Sequence, residues 1–562
     1  MPKTIKYTGT QIRWPELSVT GKQSIWNPGQ QEERADAEAA LLLGTGKFEA
    51  VATVAITATP DQAAAFPGLV SGAGIGRGLR TVILGDSLAA YNSAGVGIST
   101  IVLAAGVITV VTASAHQMRD GQKANVSGTS NATFHARNFP ITYISSTSFS
   151  YPAPAGATGV ATGGGVLCQN QLSSCGDFVH TNARLGSRMR FVANLGIGGE
   201  RADQIRARLD EAFALSPDVL WFNAGTNDVI QDRDYALTIA DIEYCAAEAV
   251  RRNILFVIKT LPPFASGGAY YTAARNANLL NLNTWHRNLA TRYRNVYVLD
   301  LYRALIQPTD ASGFGATAYF QAADSVHYNP RGAARAGALG AALLADVLPA
   351  IDNRATSITD NYGSNAANRD LHDRAPWTAT GGTVSAPATG VAPTGWICEA
   401  SAGWTTPPAY SCPARADGLG YNISATGTPG AANNTLTIRT DSTAQNARLP
   451  SFVGKKYRWI CEVTVTNAVA AGLRTLEVYA AAAVGAASGQ IATALSGLSQ
   501  AGLLALDSDT ATTLTFPTAE FEIPSGAVTN CSFTVRGTMD AASASAITIA
   551  AGSVRMQPMD DQ

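Results

Sequence analysis

Two short stretches of this chain combine residue types that can move a proton and attack an electrophile. Gly85-Asp86-Ser87-Leu88 follows the apolar run Thr81-Val82-Ile83-Leu84, so its serine stands where a strand ends. A serine hydroxyl becomes a nucleophile when a neighbouring base takes its proton; a serine in such a turn also serves as an ordinary helix cap. Asp324-Ser325-Val326-His327 offers a base. Its spacing can bring carboxylate and imidazole to one side of a turn, the carboxylate fixing the ring tautomer; the plainer reading is a surface Asp near a His. Two more turns follow apolar runs. Asn194-Leu195-Gly196-Ile197-Gly198-Gly199-Glu200 has the glycines of a strand-to-helix turn, which backbone freedom alone can explain. In Gly225-Thr226-Asn227-Asp228 the asparagine suits a helix cap.

These turns need a scaffold, and the surrounding pattern supplies one. After Cys168 the chain reads as strand Arg190 to Asn194, then a helix whose Ile205, Leu209 and Phe213 share a face, then strand Val219 to Ala224. A helix near Ile239 to Arg252, strand Ile254 to Ile258, a helix from about Ala273 to Arg294, strand Val296 to Leu299 and a closing helix from Pro330 complete the series. Alternating strands and helices imply right-handed crossovers and a mainly parallel sheet covered on both faces, a three-layer αβα domain. All four turns then fall at the carboxyl edge of that sheet, where open α/β sheets build their sites. Between about Gly97 and Leu167 Thr/Val alternation takes over, as in Val107-Ile108-Thr109-Val110-Val111-Thr112, and predicts a small inserted β-domain. Beyond about Thr356, short runs such as Thr435 to Ile438, Tyr457 to Val465, Glu520 to Ile523 and Ala546 to Ile549 predict a C-terminal β-sandwich. The expected division is a leading module over 1–70 with a short helix near Arg34 to Leu43, the αβα domain over 78–96 and 168–355, the insert over 97–167, and the sandwich over 356–562.

Composition narrows the function classes. The chain has 562 residues, 46% of them hydrophobic, so several folded units are expected. A net charge of -1 with no basic run argues against a nucleic-acid partner. The first thirty residues are polar and broken by Pro15 and Pro28, unlike a signal peptide, and no later stretch reads as a membrane span. Seven scattered cysteines without CxxC spacing argue against a structural zinc site and read mostly as buried thiols. Cys398 with Cys412, or Cys168 with Cys175, could close short loops in an oxidising medium.

The four turns, in this order and in step with the α/β pattern, resemble the SGNH (GDSL) hydrolases, over roughly residues 78 to 96 and 168 to 352. The resemblance implies a flavodoxin-like αβα fold and a serine esterase without metal or cofactor. It implies Ser87 as nucleophile, His327 as base and Asp324 as the group orienting that base. The N–H groups of Ser87 and Gly199 and the amide of Asn227 would form the oxyanion hole. The Ser87 turn is not the GxSxG elbow of the α/β-hydrolases. Glu200-Arg201 stands where an Asp-Thr pair is common in the family, and the inserted β-domain is a second departure. His180 repeats the spacing as Asp177-Phe178-Val179-His180, but precedes the glycine turn and falls in a predicted helix, where residues three apart are ordinary neighbours. His116, His135, His286 and His372 read as structural or solvated.

The flanking segments carry weaker resemblances. Trp26-Asn27-Pro28-Gly29 and Gly44-Thr45-Gly46-Lys47-Phe48 resemble N-terminal modules of bacteriophage tail proteins, and Ile108 to Gly164 is similar to small β-modules of phage structural proteins. The C-terminal region, with Trp377, Trp396, Trp404, Trp459, Tyr410 and Tyr421, resembles carbohydrate-binding modules, although such rings serve equally as core. The expectation is a virion tail fibre or tailspike, trimeric in the manner of tail proteins, joined to other tail proteins through its leading module and acting at the bacterial surface. Its expected substrate is an acetylated surface polysaccharide. Two alternatives stay open: a lipid or small-ester hydrolase of the same family, and a glycan-binding adhesin with an inactive hydrolase fold.

Overall fold

The computed structural model describes residues 78–90, 96–113, 123–163, 165–168, 175–320, 326–350, 380–441, 456–493, 506–517 and 528–559, apart from a few positions within those spans, with five short strands before residue 51 and the pair 521–522. Asp324 and the helix expected after Arg34 lie outside the described residues. Of the leading module, strands Lys3–Tyr7, Gln31–Arg34 and Phe48–Ala50 pair into a three-stranded antiparallel sheet.

The α/β unit is built on five parallel strands: β1 (Leu79–Gly85), β2 (Met189–Gly196), β3 (Val219–Asn223), β4 (Leu255–Lys259) and β5 (Val296–Leu299). Their order is β2-β1-β3-β4-β5, all parallel, the flavodoxin-like order expected. Its helices are α1 (Ser87–Ala90), α2 (Gly176–Arg184), α3 (Ala202–Ala207), α4 (Leu209–Phe213), α5 (Thr226–Ile230), α6 (Tyr235–Arg251), α7 (Ala273–Arg292), α8 (Leu301–Leu305) and α9 (Pro330–Leu344). Alternate side chains of β1, β3, β4 and β5 go to opposite layers, while β2 changes sides at a register shift between Phe191 and Ala193. Val82, Leu84, Phe222 and Phe256 pack with Ile205 of α3 and Ile242 of α6. Ile83, Trp221 and Val257 pack instead with Phe178 of α2 and Ala333 and Ala336 of α9. Every residue of β3 and β4 is buried, as a sheet covered on both faces requires.

One helix differs from expectation. Ile205, Leu209 and Phe213 do not lie on a continuous helix, because the chain breaks at Arg208 between α3 and α4. The Arg208 guanidinium is drawn inward to the Leu195 carbonyl (2.8 Å) and the buried Glu200 carboxylate.

Between α1 and α2 the chain forms a separate antiparallel sheet of seven strands, from Val96–Ala104 to Gly165–Cys168. Ile98, Ile101, Ile108, Val110, Phe134, Phe149 and Tyr151 make its own core. After residue 380 two further sheets form, one of six strands and one of seven, six of them on its main path, with Trp459 of one against Phe533 of the other at 5.2 Å between ring centroids. This part touches the α/β unit: Ser187 Oγ donates to the Thr515 carbonyl (2.8 Å). Cys175, Cys398 and Cys412 are free thiols, so Cys398–Cys412 does not close a loop. Among the described residues no helix is long and apolar enough to cross a membrane.

Candidate active site

The site grows from the carboxyl ends of β1, β2 and β3 and the loop entering α9. β1 ends at Gly85, where a Cβ would come within 2.5 Å of the Asn223 carbonyl oxygen; only glycine lets the turn pass that close to β3. The next residue, Asp86, turns inward. Its Oδ1 accepts from the Leu88 N–H (2.9 Å) and from the Asn223 amide, which leaves Ser87 at the start of α1, half-buried. Burial pushes the Asp86 carboxyl up to about 6, against the backbone bond from Leu88 and the pull of Lys259 and His327.

His327 reaches this serine from 240 positions away in sequence, its Nε2 2.9 Å from Ser87 Oγ. The histidine itself is half-buried, but both neighbours are clamped. Val326 is packed with Val229, Leu261 and Leu282, while Tyr328 is buried and donates its hydroxyl to Asp177 (2.8 Å). Immediately afterwards Asn329 caps α9: its Oδ1 accepts from the Gly332 N–H (2.9 Å) and its Nδ2 holds the Phe320 carbonyl (2.9 Å). Pro330 at the first helical turn is pre-set for the helix, so cap and proline together end the loop just after the imidazole.

The glycine turn lies over the serine. Ile197 N–H donates to the Gly85 carbonyl (2.9 Å), continuing the β2 to β1 pairing, and a Cβ on Gly198 would sit 3.8 Å from Ser87 Cβ. Gly199 is exposed with φ +82°, a conformation that favours glycine, so its N–H belongs to an open turn. Asn227, in the first turn of α5, is nearly buried and uses one N–H of its amide on the Glu200 carbonyl (2.9 Å). An amide carries two N–H groups, and the second remains for a ligand. This helix is entered through Gly225, φ +109°, where a Cβ would meet Leu282 at 2.8 Å.

The structure therefore brings Ser87, Gly199, Asn227 and His327 to one edge, while Asp324 lies outside the described residues. His180 is elsewhere, buried in α2, and burial with nearby Arg184 pushes its pKa down to about 3. The sequence reading missed three supports: Asp86 with Asn223, Arg208 with Glu200, and Asp177 with Lys259 and Tyr328. A signal existed for the last, since Lys259 ends the otherwise apolar strand Leu255–Lys259 and a buried lysine requires a partner. Glu200, the departure from the Asp-Thr pair, is the partner of Arg208, whose Nε lies 3.0 Å from Glu200 Oε2.

This arrangement can take a proton from a serine hydroxyl and offer N–H groups to a developing oxyanion. Residues 165–335 match the GDSL-like Lipase/Acylhydrolase family. The matched span contains Gly199, Asn227 and His327 but begins after Ser87, because the inserted sheet separates the nucleophile turn from the rest of the unit. Geometry and family match agree on an acylhydrolase. Among solved structures the chain is similar to a GDSL-like lipase from Bacteroides thetaiotaomicron, at 21% identity over 27% of this chain and 73% of that one, with a TM-score of 0.23. It is similar to a member of the lipolytic protein G-D-S-L family from Veillonella parvula, at 20% identity over 28% and 78% of the two chains, TM-score 0.21. A variant of an acetyl-xylooligosaccharide esterase from Geobacillus stearmophilus matches at 16% identity over 49% and 95%, TM-score 0.28. Among curated proteins none matches.

Proposed function

We propose that this chain is a serine esterase that removes O-acetyl groups from a bacterial surface polysaccharide through an acyl-enzyme on Ser87. The observation that carries the esterase chemistry is the 2.9 Å contact between His327 Nε2 and Ser87 Oγ at the sheet's carboxyl edge. His327 takes the serine proton as Oγ attacks the ester carbonyl, and the N–H groups of Ser87 and Gly199 with the Asn227 amide hold the resulting oxyanion. Collapse expels the alcohol, which takes the proton from His327. Water then attacks the acyl-enzyme, with His327 again as base, and Ser87 is regenerated. Asp324, three residues before His327, is the proposed partner that orients the ring.

The proposal of a sugar ester rests on the rim. Around the glycine turn and α5 stand Arg201, Asp203, Gln231 and Arg233, with Arg201 on Asp203 (3.1 Å) and Gln231 Nε2 on the Gly199 carbonyl (3.2 Å). Such a polar mouth offers partners to sugar hydroxyls rather than a groove for an alkyl chain. The placement on a phage tail, the attachment of the leading module to other tail proteins and a trimeric state rest on the sequence resemblances alone. The aromatic residues considered for sugar stacking are mostly core: Trp396, Trp404, Trp459 and Tyr410 are buried, Tyr421 is half-buried and Trp377 lies outside the described residues. Those four rings are packed in the core and offer no face for a sugar to stack on.

The test is hydrolysis by the purified chain of 4-nitrophenyl esters from acetyl to octanoyl, with acetate release measured on acetylated bacterial polysaccharides. Acetyl preference with acetate release is expected. Faster cleavage of long-chain esters without acetate release would move the assignment to a lipid esterase, and no turnover of any ester would favour the adhesin.

A further inference from the structure

The buried polar group that holds Tyr328 lies beneath the Ser87–His327 pair and has no part in the chemical steps above. Asp177, the second residue of α2, and Lys259, the last residue of β4, are fully buried, with Nζ 3.4 Å from the carboxylate. Burying two charges is costly, and an apolar pair of the same volume often stabilises a fold as well. The partners of this pair suggest another purpose. Asp177 accepts from Trp221 Nε1 (3.0 Å), Cys175 Sγ (3.2 Å) and the Tyr328 hydroxyl (2.8 Å), while Lys259 Nζ also reaches the Leu88 carbonyl (3.4 Å). Tyr328 follows His327 directly and Leu88 follows Ser87 directly. One carboxylate is thus joined, through one hydroxyl and one ammonium, to the residue after each member of the pair. Burial opposes the charge on both groups, yet Lys259 and the three hydrogen bonds hold the Asp177 carboxyl below its usual range, and Asp177 raises Lys259 in turn.

We infer that Asp177 is a positioning residue of the esterase: with Lys259 and Tyr328 it sets the separation of Ser87 Oγ and His327 Nε2 from underneath. The inference rests on the esterase reading of Ser87. Misplacing reacting atoms by about 1 Å can cost on the order of 10²-fold in rate, so small shifts in this support should register in turnover.

Tyr328→Phe is the informative variant, because it removes one hydroxyl and keeps the buried ring. We expect a folded protein whose kcat on an acetate ester falls about 10- to 100-fold with KM changed less than about two-fold, and whose Ser87 labels with a fluorophosphonate more slowly by a similar factor. Asp177→Asn should lower kcat at least as far, and the double variant should be no worse than Asp177→Asn alone, since both changes cut the same link. If Asp177→Asn fails to fold, Tyr328→Phe decides by itself. A Tyr328→Phe protein with unchanged kcat and labelling rate, or with losses matched by its unfolded fraction, overturns the positioning role while wild-type labelling keeps the esterase reading. A wild-type chain that neither labels nor turns over any ester overturns that reading, and this inference falls with it.

Discussion

The chain contains the spacing Asp-x-x-His twice, at Asp177 to His180 and at Asp324 to His327, and the two have opposite fates. The first lies on α2, whose regular turns bury both residues, and α9 crosses it so closely that a Cβ on Gly337 would fall 2.3 Å from His180 Cβ. There the carboxylate serves Lys259, Trp221 and Tyr328, and His180 Nδ1 finds no partner. Of the second spacing only Val326 and His327 are described; they stand outside any helix just before α9, and there the imidazole is only half-buried and faces Ser87. A helix turns each residue about 100° from the last and hands its side chains to whatever layer it packs on. A loop clamped at Val326 and Tyr328 can aim one ring at one atom. What fits His327 rather than His180 for the proposed role of base is a nearby nucleophile and partial access to solvent, neither of which a spacing encodes.

Substitutions that break this comparison should differ widely in size. Ser87→Ala should lower turnover of a chromogenic acetate ester by about 10⁴-fold or more, with the fold intact, since the side chain stands at a turn and fills no core. More than a trace of residual turnover would remove Ser87 from the mechanism. His327→Ala should cost nearly as much, on the order of 10³- to 10⁴-fold, whereas His180→Leu should leave kcat of the folded protein within a few-fold. The reverse result would move the base to α2. For Asn227→Ala a fall in kcat of about 10²- to 10³-fold with a smaller change in KM is expected for losing one oxyanion donor; an effect on KM alone would make Asn227 a ground-state contact.

The helix crossing sharpens the comparison through stability. Gly337→Ala places a methyl group against His180 Cβ and the Thr181 nitrogen, backbone and stem atoms that cannot swing away. Overpacking of this kind costs about 1–3 kcal/mol, read as a lower urea midpoint with kcat per folded molecule unchanged. An unshifted midpoint would mean that the two helices separate freely. A further effect concerns pH. His180 and His286 are pushed down to about 3, in each case by burial first and by a neighbouring arginine second. Their unfolded rings take up protons near the ordinary value of 6.5 while the folded ones stay neutral, so stability is lost as pH falls from 6.5 towards 3. The slope is at most about 1.4 kcal/mol per pH unit for each ring. Asp86, raised to about 6, acts in the opposite sense: its contribution is present below the ordinary 3.8 and lost as pH rises through 6. His180→Leu should flatten the acid decline of the urea midpoint, and an unchanged profile would show that the ring is not held neutral.

Much of the α/β unit was legible in the residues. The strand runs, the closing helix at Pro330 and the turns at Ser87, Gly199 and Asn227 all follow from apolar periodicity and from glycine, proline and asparagine chemistry, which act over a few neighbours. The break at Arg208 was not, because the apolar spacing of Ile205, Leu209 and Phe213 continues through it. What breaks the helix is an acceptor in β2 and a carboxylate after it, and neither is a neighbour in the helix pattern. The rings of Trp396, Trp404 and Trp459 were equally ambiguous, since exposure depends on which face of a sheet another sheet covers.

Sequence alone determined which residues could take part: a serine after an apolar strand, a histidine before a proline-started helix, and glycine and asparagine at the ends of two strands between them. Local backbone physics is enough for that, because each of those signals is read within one turn or strand. The order of the four turns singled out His327 over His180, but only the tertiary structure brought its ring to Ser87, across 240 positions of chain. It alone paired Asp177 with Lys259 beneath them. Such choices depend on the order of strands in the sheet and on which helices cover its faces, and the free energy that selects them is shared among contacts far apart in sequence.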